Sequence, residues 1–472
     1  MQSNTQPDDL TLVLKNLRSA WSRHRPGYDQ RRDDLKRLRF ALKGRLENMV
    51  TAISADFGHR SRHETLFGEG MTVLAEIDHI LAHLQRWMKP RRRSVGWRLW
   101  PARAQVRHVP LGVVGVISPW NYPISLSLIP LVTAIAAGNH VFLKPSEYTP
   151  RTNAFLSELL SAVFPADRVA LALGDADVAA AFSALPFDHL LFTGSTTVGR
   201  KVMAAAAANL TPVTLELGGK SPAIIGYKAP MAKAVSRLVT GKLYNAGQTC
   251  ISPDYALVPR ERLDELVQAL RKEVKQRYPQ LDGNQDLTRI VNEGQYRRLI
   301  SYIDDARARG FEVITLVEPE DRVRAEAERL LPPTLIIEPD DDSTIMQEEI
   351  FGPILPIKSY GSLDEAIAYI NAHERPLALY QFSNDEGEIE QVLSSVVAGG
   401  ISINETLLHN VCNDLPFGGV GASGMGHYHG HDGFLTFTKA LPILRQSKMP
   451  LSDKLKPPYQ GFADRMLKML VR

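Results

Sequence analysis

From about Asp8 to Arg86, apolar residues return at helical spacing, as at Leu35, Leu38, Leu42, Leu46 and Met49, with arginine and lysine between them. That period predicts amphipathic helices. From Leu111 the texture changes to short apolar strands alternating with helices. Residues 113–117 are apolar and mostly β-branched, and 123–138 reads as a buried helix with proline at its start and glycine at its end. Strands follow at 140–143, 169–173 and 190–193, with helices at 150–164, 175–185 and 196–208. A second unit has strands at 213–217 and 223–225, a helix at 231–245, a strand at 255–258 and a helix at 263–278. The alternation continues to about Gly400. This β-α order predicts an α/β fold, with parallel sheets covered by helices on both faces.

At roughly 150 residues per domain, a chain of 472 residues makes two or three domains. Hydrophobic residues at 44% and charged residues at 23% exclude a disordered, collagenous or coiled-coil chain. Lys+Arg at 55 against Asp+Glu at 52 gives a net charge of +3, too balanced for the basic face of a nucleic-acid binder. The basic run Lys89-Pro90-Arg91-Arg92-Arg93 reads as a solvated loop or subunit contact. Two distant cysteines, Cys250 and Cys412, exclude a disulfide scaffold and fit a reducing cytoplasm. Residues 1–10 lack the pattern of a secretory signal. The most apolar run, 124–138, is shorter than the about 20 residues of a bilayer-spanning helix and is interrupted by Pro130. A cytoplasmic protein is expected, with neither membrane nor nucleic acid as partner.

Three stretches carry candidate chemistry. Gly194-Ser195-Thr196-Thr197-Val198-Gly199 lies where a strand ends and a helix begins, so it is either a phosphate cradle or a tight turn. Cys250 ends the polar turn Asn245-Ala246-Gly247-Gln248-Thr249, a better place for a reactive thiolate than an apolar core, although a lone cysteine is also compatible with packing. Glu216, between Leu215 and Leu217 at a strand end, is either a general base with a raised pKa or a salt-bridged glutamate.

Together these stretches resemble the aldehyde dehydrogenase superfamily. Its two signature motifs match Leu215-Glu216-Leu217-Gly218-Gly219-Lys220-Ser221 and Gly247-Gln248-Thr249-Cys250, with Cys250 34 positions after Glu216. Four more matches keep the family's order: Pro119-Trp120-Asn121-Tyr122-Pro123, Lys144-Pro145-Ser146-Glu147, Glu349-Ile350-Phe351-Gly352-Pro353 and Leu415-Pro416-Phe417-Gly418-Gly419. The set spans about residues 110–440. Gly424-Met425-Gly426-His427-Tyr428-His429-Gly430 resembles the class 3 branch. Residues 53–64 and 185–221 resemble bacterial coniferyl aldehyde dehydrogenases within it.

The resemblance implies an aldehyde dehydrogenase-like fold with three parts. A Rossmann-type cofactor domain would take residues 1–212 and receive 400–433. A second α/β catalytic domain would take 213–399. A small oligomerisation element would join 95–109 to 434–472, giving a homodimer. The resemblance also implies oxidation of an aldehyde to the acid. Cys250 would be the nucleophile, Asn121 an oxyanion donor and Glu216 the base that activates water. NAD would be held by Trp120, Lys144, Glu147, Gly194, Ser195, Gly199, Glu349 and Phe351. Glu147 would repel a 2′-phosphate, which favours NAD, while NADP stays open. Coniferaldehyde or a similar aromatic aldehyde is the expected substrate, and medium or long-chain aliphatic aldehydes are the alternative. Glu216 argues against a CoA-acylating enzyme, and a silent binding protein would be expected to have lost Cys250, Asn121 or Glu216. His427, His429 and His431 alternate as in a metal site, but Tyr-His-Gly belongs to the family pattern as structure, so no metal is expected. Cys412 is expected in packing. Residues 464–472 are expected to form a subunit contact or frayed end rather than a membrane helix.

Overall fold

Helices Pro7–Arg23, Tyr28–Lys43, Leu46–Phe57 and Thr72–Trp87 open the chain. Leu35, Leu38, Leu42 and Met49 are fully buried, as their spacing predicts. Between the third and fourth helices, Arg62–Thr65 makes one α turn and Leu66–Met71 widens into a π-helix, an interruption the periodicity does not reveal. This computed structural model describes residues 5–448, 453, 456–459 and 461–471. Residues 1–4 of the polar N-terminus, several positions of the expected 434–472 segment and Arg472 lie outside the described residues.

The first sheet has six strands, in the order Gly424–Met425, Val213–Glu216, His189–Thr193, Val113–Ile117, His140–Lys144 and Val169–Leu171. All pair in parallel except Gly424–Met425. The chain starts at Val113–Ile117, winds outward through His140–Lys144 and Val169–Leu171, then returns to the other side. The strand order therefore reverses beside Val113–Ile117. Helix Ser125–Ala137 packs against this sheet with Leu126 alone half-exposed, and it carries Pro130 within it rather than ending there.

The second sheet has seven strands, in the order Glu312–Thr315, Thr334–Ile337, Ile354–Tyr360, Tyr255–Pro259, Pro222–Ile225, Ala378–Phe382 and Gly400–Ile403, with only the first antiparallel. Two expected boundaries move. Val213–Glu216 pairs with His189–Thr193, so it belongs to the first sheet and not to a unit starting at 213. Gly400–Ile403 pairs with Ala378–Phe382, so the chain leaves the second sheet after Ile403 rather than at 399. An apolar strand looks the same from either sheet, and its partners are set by tertiary pairing alone.

A third, antiparallel sheet joins Arg91–Arg93, Arg103–Pro110 and Thr438–Arg445. The basic run expected as a loop is thus an exposed edge strand, where arginines discourage further pairing. The tail forms helix Gly461–Leu470, in which Ala463 is buried. Among the described residues, no helix is long and apolar enough to cross a membrane.

Asp56, on Leu46–Phe57, caps a neighbouring helix. Its carboxylate accepts from Arg151 N at 2.9 Å, Thr152 N at 2.8 Å and Thr152 Oγ1 at 2.7 Å. Helix Pro150–Val163 has no cap from its own Thr149 side chain. Asp56→Ala is expected to destabilise the fold by about 1–2 kcal/mol, seen as a lowered thermal midpoint. An unchanged midpoint contradicts the capping role.

Candidate active site

The reversal of strand order opens a crevice beyond the carboxyl ends of Val113–Ile117 and His189–Thr193, where ligands of open α/β sheets bind. A cavity of about 560 Å³ lies there. Of the expected site residues, Asn121, Trp120, Gly194, Ser195, Glu216, Cys250, Glu349 and Phe351 all line it. They come from both sheets. Glu216 ends a strand of the first, while Cys250 and Glu349 stand on turns of the second domain.

Three expected residues lie outside this lining. Lys144 is buried at the end of its strand and pairs with Glu147 Oε2 at 3.1 Å. Gly199 lies inside helix Thr196–Ala207, where a Cβ would strike the Leu217 side chain. Its place is in helix–strand packing behind the cavity.

The turn before Cys250 is left-handed at Asn245 (φ 52°) and Ala246 (φ 53°). Gly247 follows at φ 74°, where a Cβ would collide with the carbonyl of Gly352. Asn121 Nδ2 donates to Gln248 O at 3.2 Å, and the hydroxyls of Tyr122 and Thr249 lie 2.8 Å apart. The two halves of the site are therefore stitched together directly beside the thiol.

The backbone around Glu349 is pinned from several sides. Arg298 Nη2 donates to Ile350 O at 2.8 Å, and Lys220 Nζ donates to Glu348 O at 2.9 Å. Ile350 N donates to Asp254 Oδ1, also at 2.9 Å. Arg298 and Gln295 line the cavity but escape sequence reasoning. They lie on helix Glu293–Ala308, whose polar positions look like any solvated face.

Electrostatically the site favours neutral groups. Burial pushes Glu216 well above the usual carboxylate range, and neither of its oxygens has a hydrogen-bond partner. Burial, then Asp254, raises Glu349 to about 8. The Cys250 thiol is pushed up to about 12, first by burial and then by Glu349 and Glu216. A thiolate-favouring polar turn is therefore not what surrounds it: the turn folds onto the core, and two carboxyls face the sulfur. Cys412, expected in packing, is exposed instead, just after the short helical turn Leu408–Val411. His429 is buried, with its ring stacked on Phe417 at 5.3 Å.

The sequence profile of the aldehyde dehydrogenase family matches residues 15–441. This chain belongs to that family. It is 48% identical over 473 aligned positions to a probable coniferyl aldehyde dehydrogenase of Pseudomonas aeruginosa, covering 100% of this chain and 98% of that one. Among solved structures, the substrate-bound state of Staphylococcus aureus AldH superposes with a TM-score of 0.92 at 38% identity, over 98% of this chain and 99% of that one. Betaine aldehyde dehydrogenase of Staphylococcus aureus in complex with NAD+ superposes with a TM-score of 0.86 at 27% identity, over 95% of this chain and 90% of that one.

If the Glu349 carboxylate holds the Cys250 thiol up, removing its charge lowers the thiol pKa and enlarges the thiolate fraction. Glu349→Gln at pH 9 is expected to be alkylated by iodoacetamide at Cys250 several-fold faster than the unaltered protein. An equal or slower rate contradicts the electrostatic reading.

Proposed function

We propose that this dehydrogenase oxidises an aromatic aldehyde of the coniferaldehyde type to its carboxylic acid, with NAD as oxidant. One observation carries the reading: a thiol, a side-chain amide and an unpartnered carboxyl share a single cavity wall with a glycine-bearing strand-to-helix turn. The substrate class is supported by the 48% identity to the Pseudomonas aeruginosa protein and by its description.

Cys250 Sγ attacks the aldehyde carbon as the thiolate, its proton having left to solvent. The resulting oxyanion is held by the backbone N–H of Cys250 and by Asn121 Nδ2, donors aimed at charge that develops only during reaction. Loss of hydride from that carbon leaves a thioester on Cys250. Glu216 then takes a proton from water as the water attacks the thioester, the C–S bond breaks, and the acid leaves while Cys250 is returned as the thiolate. Burial raises its pKa well above the usual carboxylate range, so it becomes a competent base, and hydrolysis is favoured, as pH rises.

The residues present fit NAD. Ser195 caps helix Thr196–Ala207, and the positive end of that helix opens on the cavity, a setting for pyrophosphate. The Glu147 carboxylate suits ribose hydroxyls and disfavours a 2′-phosphate, so NADP is the poorer partner. Glu349 and Phe351, both on the cavity wall, would orient the nicotinamide ribose. When bound, the cofactor supplies the hydride acceptor and a positive ring whose field favours the Cys250 thiolate. A homodimer in the cytoplasm completes the proposal. Its support is the outer edge of Thr438–Arg445, which presents Leu441 and Leu444 to solvent.

Initial rates of NADH formation with coniferaldehyde, benzaldehyde and decanal test the substrate class. The highest kcat/KM is expected for coniferaldehyde with NAD, and Cys250→Ala is expected to abolish turnover. A preference for decanal replaces the aromatic substrate with an aliphatic one and keeps the Cys250 chemistry. Persistent turnover in Cys250→Ala overturns the mechanism. With the preferred aldehyde, kcat is expected to climb with rising pH as Glu216 ionises. A flat profile contradicts Glu216 as the base of a rate-limiting hydrolysis.

A further inference from the structure

We propose that the buried Arg60–Glu69 pair, supplied by the N-terminal helical segment, is the positioning device that fixes Asn121 against Cys250. The inference rests on the oxyanion role assigned to Asn121 above. It adds two residues that lie outside the cavity lining, Arg60 from the stretch 53–64 and Glu69 from outside the sequence motifs.

Arg60 and Glu69 are both fully buried side chains, with Arg60 Nη1 and Glu69 Oε1 3.0 Å apart. A buried ion pair is costly unless its remaining polar groups are also bonded. Among the described residues Arg60 Nε and Nη2 have no hydrogen-bond partner, so the pair is held by the bonds that Arg60 Nη1 and Glu69 Oε2 make to the Asn121 loop. Arg60 Nη1 also donates to Asn121 O at 2.9 Å. Glu69 Oε2 accepts from Ile124 N at 3.0 Å and Ser125 N at 2.7 Å. These are among the first N–H groups of helix Ser125–Ala137, whose own N-cap residue provides no side-chain bond. Glu69 thus caps that helix from a distance, and the π-helical widening at Leu66–Met71 is the backbone that carries it there.

The same pair reaches the cysteine side. The Arg60 guanidinium lies between the rings of Phe57 at 5.1 Å and Tyr122 at 4.7 Å. Tyr122 in turn meets Thr249, the residue before Cys250. Asn245 Nδ2 donates to Asn121 O at 3.2 Å and to Gln248 O at 3.0 Å. The N–H of Asn245 goes to Glu64 Oε2 at 3.0 Å, so the left-handed turn before Cys250 is tied to the same N-terminal segment. The Asn121 carbonyl is therefore fixed by two donors, Arg60 and Asn245. One hydrogen of its Nδ2 goes to Gln248 O, which leaves the other for a substrate oxygen. Loosening Arg60 or Glu69 lets this amide drift while the thiol and the cofactor turn keep their own supports.

The test compares Arg60→Lys, Glu69→Ala, the near-isosteric Glu69→Gln and Asn121→Ala in the full chain. The readouts are kcat/KM with NAD, the isotope effect on kcat for benzaldehyde deuterated at the aldehyde carbon, NAD affinity, and alkylation of Cys250. A misplaced oxyanion donor slows the step that releases hydride, so the isotope effect must grow. Arg60→Lys and Glu69→Ala are expected to lose on the order of 100-fold in kcat/KM with an enlarged isotope effect, as Asn121→Ala does. NAD affinity and alkylation rate are expected to stay within about twofold. Glu69→Gln, which keeps an acceptor for Ile124 N and Ser125 N, is expected to recover part of the loss. If Arg60→Lys does not fold, Glu69→Gln carries the test, with a smaller rate loss and the same enlarged isotope effect expected. Folded Arg60 and Glu69 variants with unchanged rate and isotope effect, beside an impaired Asn121→Ala, overturn this proposal and leave the oxyanion reading standing. An unimpaired Asn121→Ala overturns the oxyanion reading, and this proposal with it.

Discussion

The catalytic crevice depends on the point where strand order reverses in the six-stranded sheet. Val113–Ile117 and His189–Thr193 are adjacent and parallel, but the loops that leave their carboxyl ends run to opposite sides. The gap between those loops cannot be filled by a connection. Trp120 and Asn121 come from one loop, and Gly194 and Ser195 from the other. Glu216 ends the next strand over, paired with Thr193. The second sheet then closes the gap with the Cys250 turn and the Glu349–Phe351 loop. Each cavity residue follows from one topological fact plus the docking of a second domain.

Closing the gap has an electrostatic consequence. Two carboxyls and a thiol are brought together, and each is shifted toward its neutral form by burial. Cys250, Glu216 and Glu349 are thus held toward their neutral forms by the same closure. A chemistry that brings positive charge and then water into the cavity, in that order, matches such a resting state. The surrounding backbone is fixed by half-buried Lys220 and Arg298 with buried Asp254 on the Glu349 side, and by buried Arg60, Glu64 and Glu69 on the Asn121 side.

The residues legible in the sequence share a local cause. Cys250, Glu216 and Asn121 are flanked by glycines or prolines that a tight approach demands, as Gly247 shows against the Gly352 carbonyl. The strand and helix alternation was equally readable, since each element buries a continuous or periodic apolar face. Three features were not. The assignment of Val213–Glu216 and Gly400–Ile403 to their sheets depends on partners far along the chain. Arg298 and Glu69 look like ordinary charged helix positions and Arg60 like a charged loop residue, and only the tertiary structure shows what they touch. The turn around Cys250 is polar in composition, yet it folds inward, so its effect on the thiol runs opposite to what composition implies.

The central claim is that Cys250 carries the substrate and Glu216 releases it. Mass spectrometry of the Glu216→Gln protein, mixed with coniferaldehyde and NAD and quenched in acid, tests this most directly. The account predicts an acyl adduct that accumulates on the peptide containing Cys250, alongside a stoichiometric burst of NADH. A burst without a covalent adduct, or an adduct on any other residue, would contradict it.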